Sequence, residues 1–424
     1  MTDLEPSSVP TGAGAPGCPA HPDALPLYGS RFLRNPADLY REMRQEHGPV
    51  VPVLIEGDIP AWFVIGYREL HHVLSNPDVF ARDCRRWNQW PNIPPDWPLM
   101  PFVGYQPSTL FAEGDEHRRR AGALSDGLFA VDQFDLRMQC EKIADDLIDT
   151  FVEAGEVDLM AEFAHPLPLL AVAKIFGLPE PETPGLLRDM MTTVNGGEGA
   201  LDAKQGIDAA MRRLVAHKGE QPGSDFTTRL LNNPVGLTEE ELIQDLVLVI
   251  TAAQQPMAYW IGNTIRLMLT DDRFSVNLAG GRRSVGQALN EVLWEDTPTQ
   301  NYLGRWAARP IELGGQQIKA GDLLVLGLAA ANSDPQVRPD PESATAGNQA
   351  MLSFSHGEHR CPYPAPELAE VICRAAVEVL LDRLPDVLLA VKPDELEWSP
   401  SVWMRGLVSL PVTFAPSYVA GRTG

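Results

Sequence analysis

The segment 239–269 contains the run LIQDLVLVITAAQQPMAYWIGNTIRLML, which is apolar on most faces of a helix. A helix that is apolar all round has to be buried, so this run predicts a long rod with the rest of the chain packed around it. Thr238 and Glu241, three residues apart at its start, form the pattern of a capping box. Pro256 stands in its middle. A proline there removes a backbone hydrogen bond and crowds the preceding turn, which costs about 3 kcal/mol or more in an ordinary helix. A group bound at that point would give the kink a reason.

The 424 residues are 44% hydrophobic, ample for a large core, and no linker divides the middle of the chain. One large domain, 26–424, is expected behind a leader, 1–25, which is rich in Pro, Gly, Ala and Ser and lacks hydrophobic periodicity, the composition of a disordered segment. A net charge of −23 argues against nucleic acid and anionic membrane surfaces as partners. Cys18, Cys84, Cys140, Cys361 and Cys373 are odd in number and form no C-x-x-C, which points to a reducing compartment rather than a disulfide framework. The start of the sequence has no secretory pattern and no apolar stretch approaches a membrane span, so a cytoplasmic location is expected.

A helix is predicted from Asn35 to Glu46, with Pro36 in its first turn. Two β-like runs follow, Val50–Ile55 and Ala61–Ile65, joined at Gly57-Asp58. They predict a small sheet near the N-terminus. Residues 84–110 are too rich in proline for a long helix. Their Trp87, Trp90 and Trp97 either anchor a loop to the core or wall a substrate site. Helices are predicted at 115–129, 133–154, 161–176, 204–217 and 239–269. Val194–Gly199 is either a lid hinge or an ordinary surface loop.

The run Phe354-Ser355-His356-Gly357-Glu358-His359-Arg360-Cys361 is the strongest chemical signal. A thiolate is favoured beside a helix N-terminus or a metal, and helical residues are expected a few positions beyond Cys361, with Pro366 in the first turn. A buried structural cysteine is the plain alternative. A zinc site from His356, His359 and Cys361 is another, although it needs a fourth ligand that is not nearby at normal spacing. Phe, Gly, His and Cys at these offsets resemble the haem-ligand loop of a cytochrome P450, and other segments agree in order. Glu116-His117 resembles the start of the helix that carries a propionate-contacting histidine. Arg305, within GRWAARPIELGGQQIKAGD, falls at a propionate-contacting arginine. LAAANSDPQVRPDP and SVWMRGLVSLPVTF resemble the later segment and the closing hairpin of bacterial P450s. The resemblance implies a mainly α P450 fold, a large helical domain with a small N-terminal β-sheet region. It also implies haem b (iron protoporphyrin IX) ligated by Cys361 and held by His117, Arg305, His359, Phe354 and Ala252.

The departures from the family pattern are equally specific. Its acid–alcohol pair on the long helix aligns with Gln255 and Pro256, the distal oxygen-site positions. An amide cannot exchange protons as a carboxylic acid does, and proline has no donor. The E-x-x-R motif appears as Glu291-Val292-Leu293-Trp294, and the second arginine that usually accompanies it aligns with Ser343. This resembles a divergent bacterial subgroup with tryptophan at that place. A buried carboxylate without a cation has to protonate or find donors, and Arg338 is the candidate partner. Pro362 and Pro364 flank Tyr363 just after Cys361, so few N–H groups are available to the sulfur, which implies a low iron reduction potential. Where the family often has arginine four residues after the histidine, this chain has Ala121; Arg118, Arg119 and Arg120 are the candidate substitutes.

Three functions compete. The first is a monooxygenase-like oxidoreductase acting on a small organic molecule or secondary metabolite. Its electrons would come from a separate ferredoxin and ferredoxin reductase, because no flavin or nicotinamide fingerprint is present. The second is a peroxygenase or isomerase-type haem-thiolate enzyme. The third is a low-turnover haem protein with a binding or regulatory role.

Overall fold

Thr238 caps the long helix as its sequence predicts. In the computed structural model, which describes residues 24–195, 199–275, 283–339 and 348–418, the Thr238 hydroxyl accepts from the Glu241 amide at 3.2 Å. The Glu241 carboxylate accepts from the Thr238 amide at 2.9 Å. The helix runs Glu239–Thr270, buries residues from Leu242 to Met268, and passes through the largest apolar core. Helices Pro166–Phe176, Ala200–Glu220, Arg283–Glu295 and Ala365–Arg383 pack directly on it. Cys18, Ser343, nearly all of the expected leader and the centre of the Val194–Gly199 stretch lie outside the described residues. No helix among the described residues is long and apolar enough to cross a membrane.

The predicted helices form, with boundaries moved by local chemistry. Asn35 caps Pro36–His47, accepting from the Asp38 amide at 3.3 Å. The second helix is Gly114–Phe129. The third stops at Phe151, because Gly155 takes a φ of 76° and turns the chain into a strand, Glu156–Asp158, that pairs with Pro411–Thr413. The fourth is split into a π-helical turn, Met160–Ala164, and the helix Pro166–Phe176, whose first residue is the proline that needs no N–H partner there. Helices Thr183–Asn195 and Phe226–Leu231 were not expected from periodicity.

Val50–Ile55 forms as predicted and runs antiparallel to Ile59–Val64, which begins two residues before the apolar run suggested. The sheet, however, draws on both halves of the chain. Leu323–Leu326 pairs parallel with Ile59–Val64, and Tyr302–Ala307, the strand that carries Arg305, pairs antiparallel with Leu323–Leu326. Trp87 and Trp97 are buried in the core beneath this sheet with Phe63, Trp306 and Trp403. Trp97 donates to the Glu56 carbonyl and the half-buried Trp90 to the Cys84 carbonyl, both at 2.7 Å, whereas the Trp87 indole N–H is buried without a hydrogen-bond partner. The tryptophans therefore anchor the proline-rich loop.

Glu291 is buried and finds its cation in Arg338, whose Nη2 lies 2.9 Å from both Glu291 and Glu295. Trp294 fills the usual arginine position, fully buried, and its indole donates to the Asn348 carbonyl at 3.3 Å. The arginine has thus been supplied by a later segment. The two carboxylates thus lie side by side at one guanidinium. Burial, followed by the neighbouring Glu291, raises Glu295 from an ordinary 4.5 to about 7. The folded state therefore binds this proton more tightly than the unfolded chain. The resulting stabilisation is complete below about pH 4.5 and is lost as pH rises through about 7. Denaturant midpoints should fall across this window, and Glu295→Gln should flatten the fall. A variant with the wild-type slope would assign the dependence to other groups.

Candidate active site

Cys361 sits at the end of a loop shaped by its own backbone. Its amide donates to the Phe354 carbonyl at 3.0 Å, and the Arg360 amide donates to Gly357 at 3.3 Å. Ser355 and Gly357 take φ values of 64° and 76°. A side chain at Gly357 would place its Cβ 2.3 Å from the Leu74 carbonyl oxygen, so only glycine lets the loop lie against the Tyr67–Ser75 helix. The helix beyond begins at Ala365, with Pro366 in its first turn. The Ala365 amide donates to Pro362 at 2.8 Å, so Tyr363 carries the sole other N–H between Cys361 and that helix. Burial pushes the Cys361 thiol up to about 12, with Glu367 adding to the effect and Arg360 opposing it. In the protein alone the sulfur stays protonated, and a bound metal ion is what would draw the thiolate out.

Beside this loop the structure gathers positive charge. Arg305 is buried, and its Nε and Nη1 have no hydrogen-bond partner. Burial, then the nearby Arg82, drives its affinity for a proton well down. The His117 and His359 rings lie 3.9 Å apart, and His117 Nδ1 is also buried without a hydrogen-bond partner. Burial, then Arg305 and Arg82, holds His359 neutral. Burial likewise lowers His117, while Glu358, 3.6 Å away, partly restores it. Buried cations and donors left unpaired are costly, so this cluster calls for an anion. Two carboxylates on a rigid, planar, apolar body would supply both charge and acceptors, and the donor set therefore fits a haem.

Not every proposed participant joins the cluster. His356 turns away and stacks on His71 at 4.2 Å. Among the described residues, the group close enough to hold a metal ion is His117, Glu358 and His359, rather than the zinc alternative of His356, His359 and Cys361. Arg119 pairs with Glu241, and Arg120 is buried against Asp245 at 2.7 Å. Arg118 pairs with Glu358 at 3.2 Å and so reaches the rim of the cluster. The second arginine inside is Arg82, which donates to the carbonyls of Leu110 and Gly304 at 3.0 and 2.8 Å. Arg82 and Glu358 were missed by sequence reasoning. Arg82 has no local signature, whereas Glu358 stands between the loop's glycine and histidine, where its place beside a histidine was readable.

The long helix faces this loop from above. Trp260 meets Phe354 edge-on at 5.9 Å, and the Cys373 thiol approaches the Met257 carbonyl at 3.8 Å. Ala252, Pro256 and Trp260 follow one another at four-residue spacing and so lie along one stripe. Thr251 and Ala252 are exposed although Ile250 and Gln254 beside them are buried, so this turn borders an open space. Gln255 is half-buried, and its Nε2 donates to the Tyr259 hydroxyl at 3.3 Å. The arrangement offers a cysteine sulfur on one side, anion-binding donors at the edge, and on the other a helix with an amide and a proline, Gln255 and Pro256, at the acid and alcohol positions. Arg305→Met should raise the stability of the haem-free protein and weaken hemin binding by about tenfold to a hundredfold. Thermal melts and hemin titration of the same variant read the two opposite effects.

No family model matches the chain. The chain is 30% identical over 423 residues to the cytochrome P450 monooxygenase PikC of Streptomyces venezuelae, covering 96% of this chain and 98% of the relative. It is 29% identical over 409 residues to cytochrome P450 107B1 of Saccharopolyspora erythraea, covering 92% and 98%. The solved structure of CYP154C4 from Streptomyces sp. ATCC 11861 superposes with a TM-score of 0.82 at 27% identity, covering 93% of this chain and 98% of that one. With likeness running end to end in both sequence and fold, and with a cysteine loop beside an unsatisfied cation cluster, the chain belongs to the cytochrome P450s.

Proposed function

We propose that Cys361 would ligate the haem iron, that Arg305, His117 and His359 would hold the haem carboxylates, and that Phe354 and Ala252 would line the place of that group. The observation that carries this reading is the buried, unpartnered Arg305 guanidinium grouped with two histidines around the loop that ends in Cys361. As a cytochrome P450 the protein is a haem-thiolate oxidoreductase; the haem supplies the redox chemistry at its iron. The residues named here hold and orient that group, and the Glu239–Thr270 helix forms the opposite wall.

The substrate is a small organic molecule, a secondary metabolite by analogy with relatives named for polyketide biosynthesis and biflaviolin synthesis. Electrons come from an external ferredoxin and its reductase, since the sequence carries no flavin or nicotinamide fingerprint. Gln255 and Pro256 favour a second reading, a peroxide-driven or low-turnover protein, because neither side chain transfers a proton readily.

Reduced protein under carbon monoxide should show the far-shifted Soret band of a thiolate adduct, and Cys361→Ser should abolish it. Retention of the band in that variant would remove Cys361 as the ligand. Purified protein is then assayed with ferredoxin, reductase and NADPH, and separately with peroxide. Product with the reductase system supports the monooxygenase reading. Product with peroxide alone supports the peroxygenase reading, and none with either across a broad panel supports a binding role.

A further inference from the structure

We propose that the turn Thr251–Pro256 is a hydrogen-bond-acceptor strip that selects substrates presenting a hydroxyl or N–H donor to it. The argument begins with Pro256. In a regular helix the amide of residue 256 would donate to the carbonyl of residue 252. Proline has no N–H, so the Ala252 carbonyl loses its helical partner in the middle of a continuous helix. Elsewhere in this helix such a loss would leave a buried polar atom unmatched, at appreciable cost. Here Ala252 is exposed, so a ligand that meets this turn can take the place of the missing N–H.

The neighbouring polar groups are oriented the same way. Thr251 is exposed too, but its hydroxyl donates back to the Val247 and Leu248 carbonyls at 2.7 and 3.0 Å. Only the lone pairs of its oxygen face outward. Gln255 directs its amide nitrogen to Tyr259, whose ring is locked in place: a Cβ on Gly406 would lie 2.0 Å from it, and His165 stands edge-on at 5.7 Å. That leaves the Gln255 carbonyl oxygen free of the contact that fixes its nitrogen. Gln254, the other amide on this turn, is buried on the opposite side and donates to the His165 carbonyl at 3.2 Å. Three acceptors thus occur on consecutive turns of one surface: the oxygens of Thr251, Ala252 and Gln255. A ligand with a matching donor satisfies them. A ligand with an ether or a bare hydrocarbon at the same place leaves the Ala252 carbonyl dehydrated and unpaired.

The inference rests on the reading of Cys361 as iron ligand, and the test separates the two. Nicotinyl alcohol and its methyl ether both offer a pyridine nitrogen to the iron and differ in one donor. Each is titrated optically into haem-loaded protein that already shows the thiolate–carbon monoxide band. The wild type should prefer the alcohol by about tenfold, the scale of one net hydrogen bond. Pro256→Ala returns an N–H to the Ala252 carbonyl and removes a helix-breaking residue, so the variant is expected to fold at least as well. It should lose most of the preference for the alcohol, with the ether binding at least as tightly as it does to the wild type, because no carbonyl is left unpaired beside it. Gln255→Leu should keep part of the preference, since the Ala252 carbonyl persists. Equal affinity of the wild type for both ligands overturns the proposal. So does a preference that survives Pro256→Ala, or a loss that weakens alcohol and ether alike.

Discussion

Burial of the Glu239–Thr270 helix is the constraint around which the structure is organised. Its apolar faces are claimed by four other helices, and a capping box fixes where it starts. That leaves Thr251 and Ala252 exposed in mid-helix, directly before Pro256. The loop that ends in Cys361 lies one turn further along, where Trp260 meets Phe354. Chemistry is therefore confined to the place where the helix is least covered and where its hydrogen-bond ladder is broken by proline.

Two groups of buried charge are treated in opposite ways. Glu291, Glu295 and Arg338 answer one another within the chain. Arg305 and His117 keep buried nitrogens without a hydrogen-bond partner, beside a neutral His359 and with Glu358 at the rim. The first group locks a helix to a distant segment and asks nothing of a ligand. The second is strained until an anionic group arrives. A buried pair that is complete contributes little net stability, whereas an incomplete one is a standing cost that binding relieves.

Much of this was legible in the sequence, and the gaps have physical causes. The long helix, its cap and the Val50–Ile55 strand are set by neighbours in the chain, so periodicity and capping patterns were enough. The loop ending in Cys361 was readable because glycine, histidine and cysteine each have a distinct local role. The pairing of Leu323–Leu326 with Ile59–Val64 is long-range and left no local mark. Arg82 enters the cation cluster through the same long-range folding, held by the carbonyls of Leu110 and Gly304. Arg338 was found by asking what a buried Glu291 requires, a question of charge rather than pattern. Helix Thr183–Asn195 escaped because proline and glycine near its start mask its amphipathic stripe.

The contact between Gly357 and the Leu74 carbonyl ties the height of the sulfur to a short helix in the first part of the chain. That helix packs in the smaller core under Leu324 and Leu326, apart from the main helical mass. The loop that ends in Cys361 is therefore fastened on one side to this smaller core, through Gly357, and on the other to the main helical core, through Phe354.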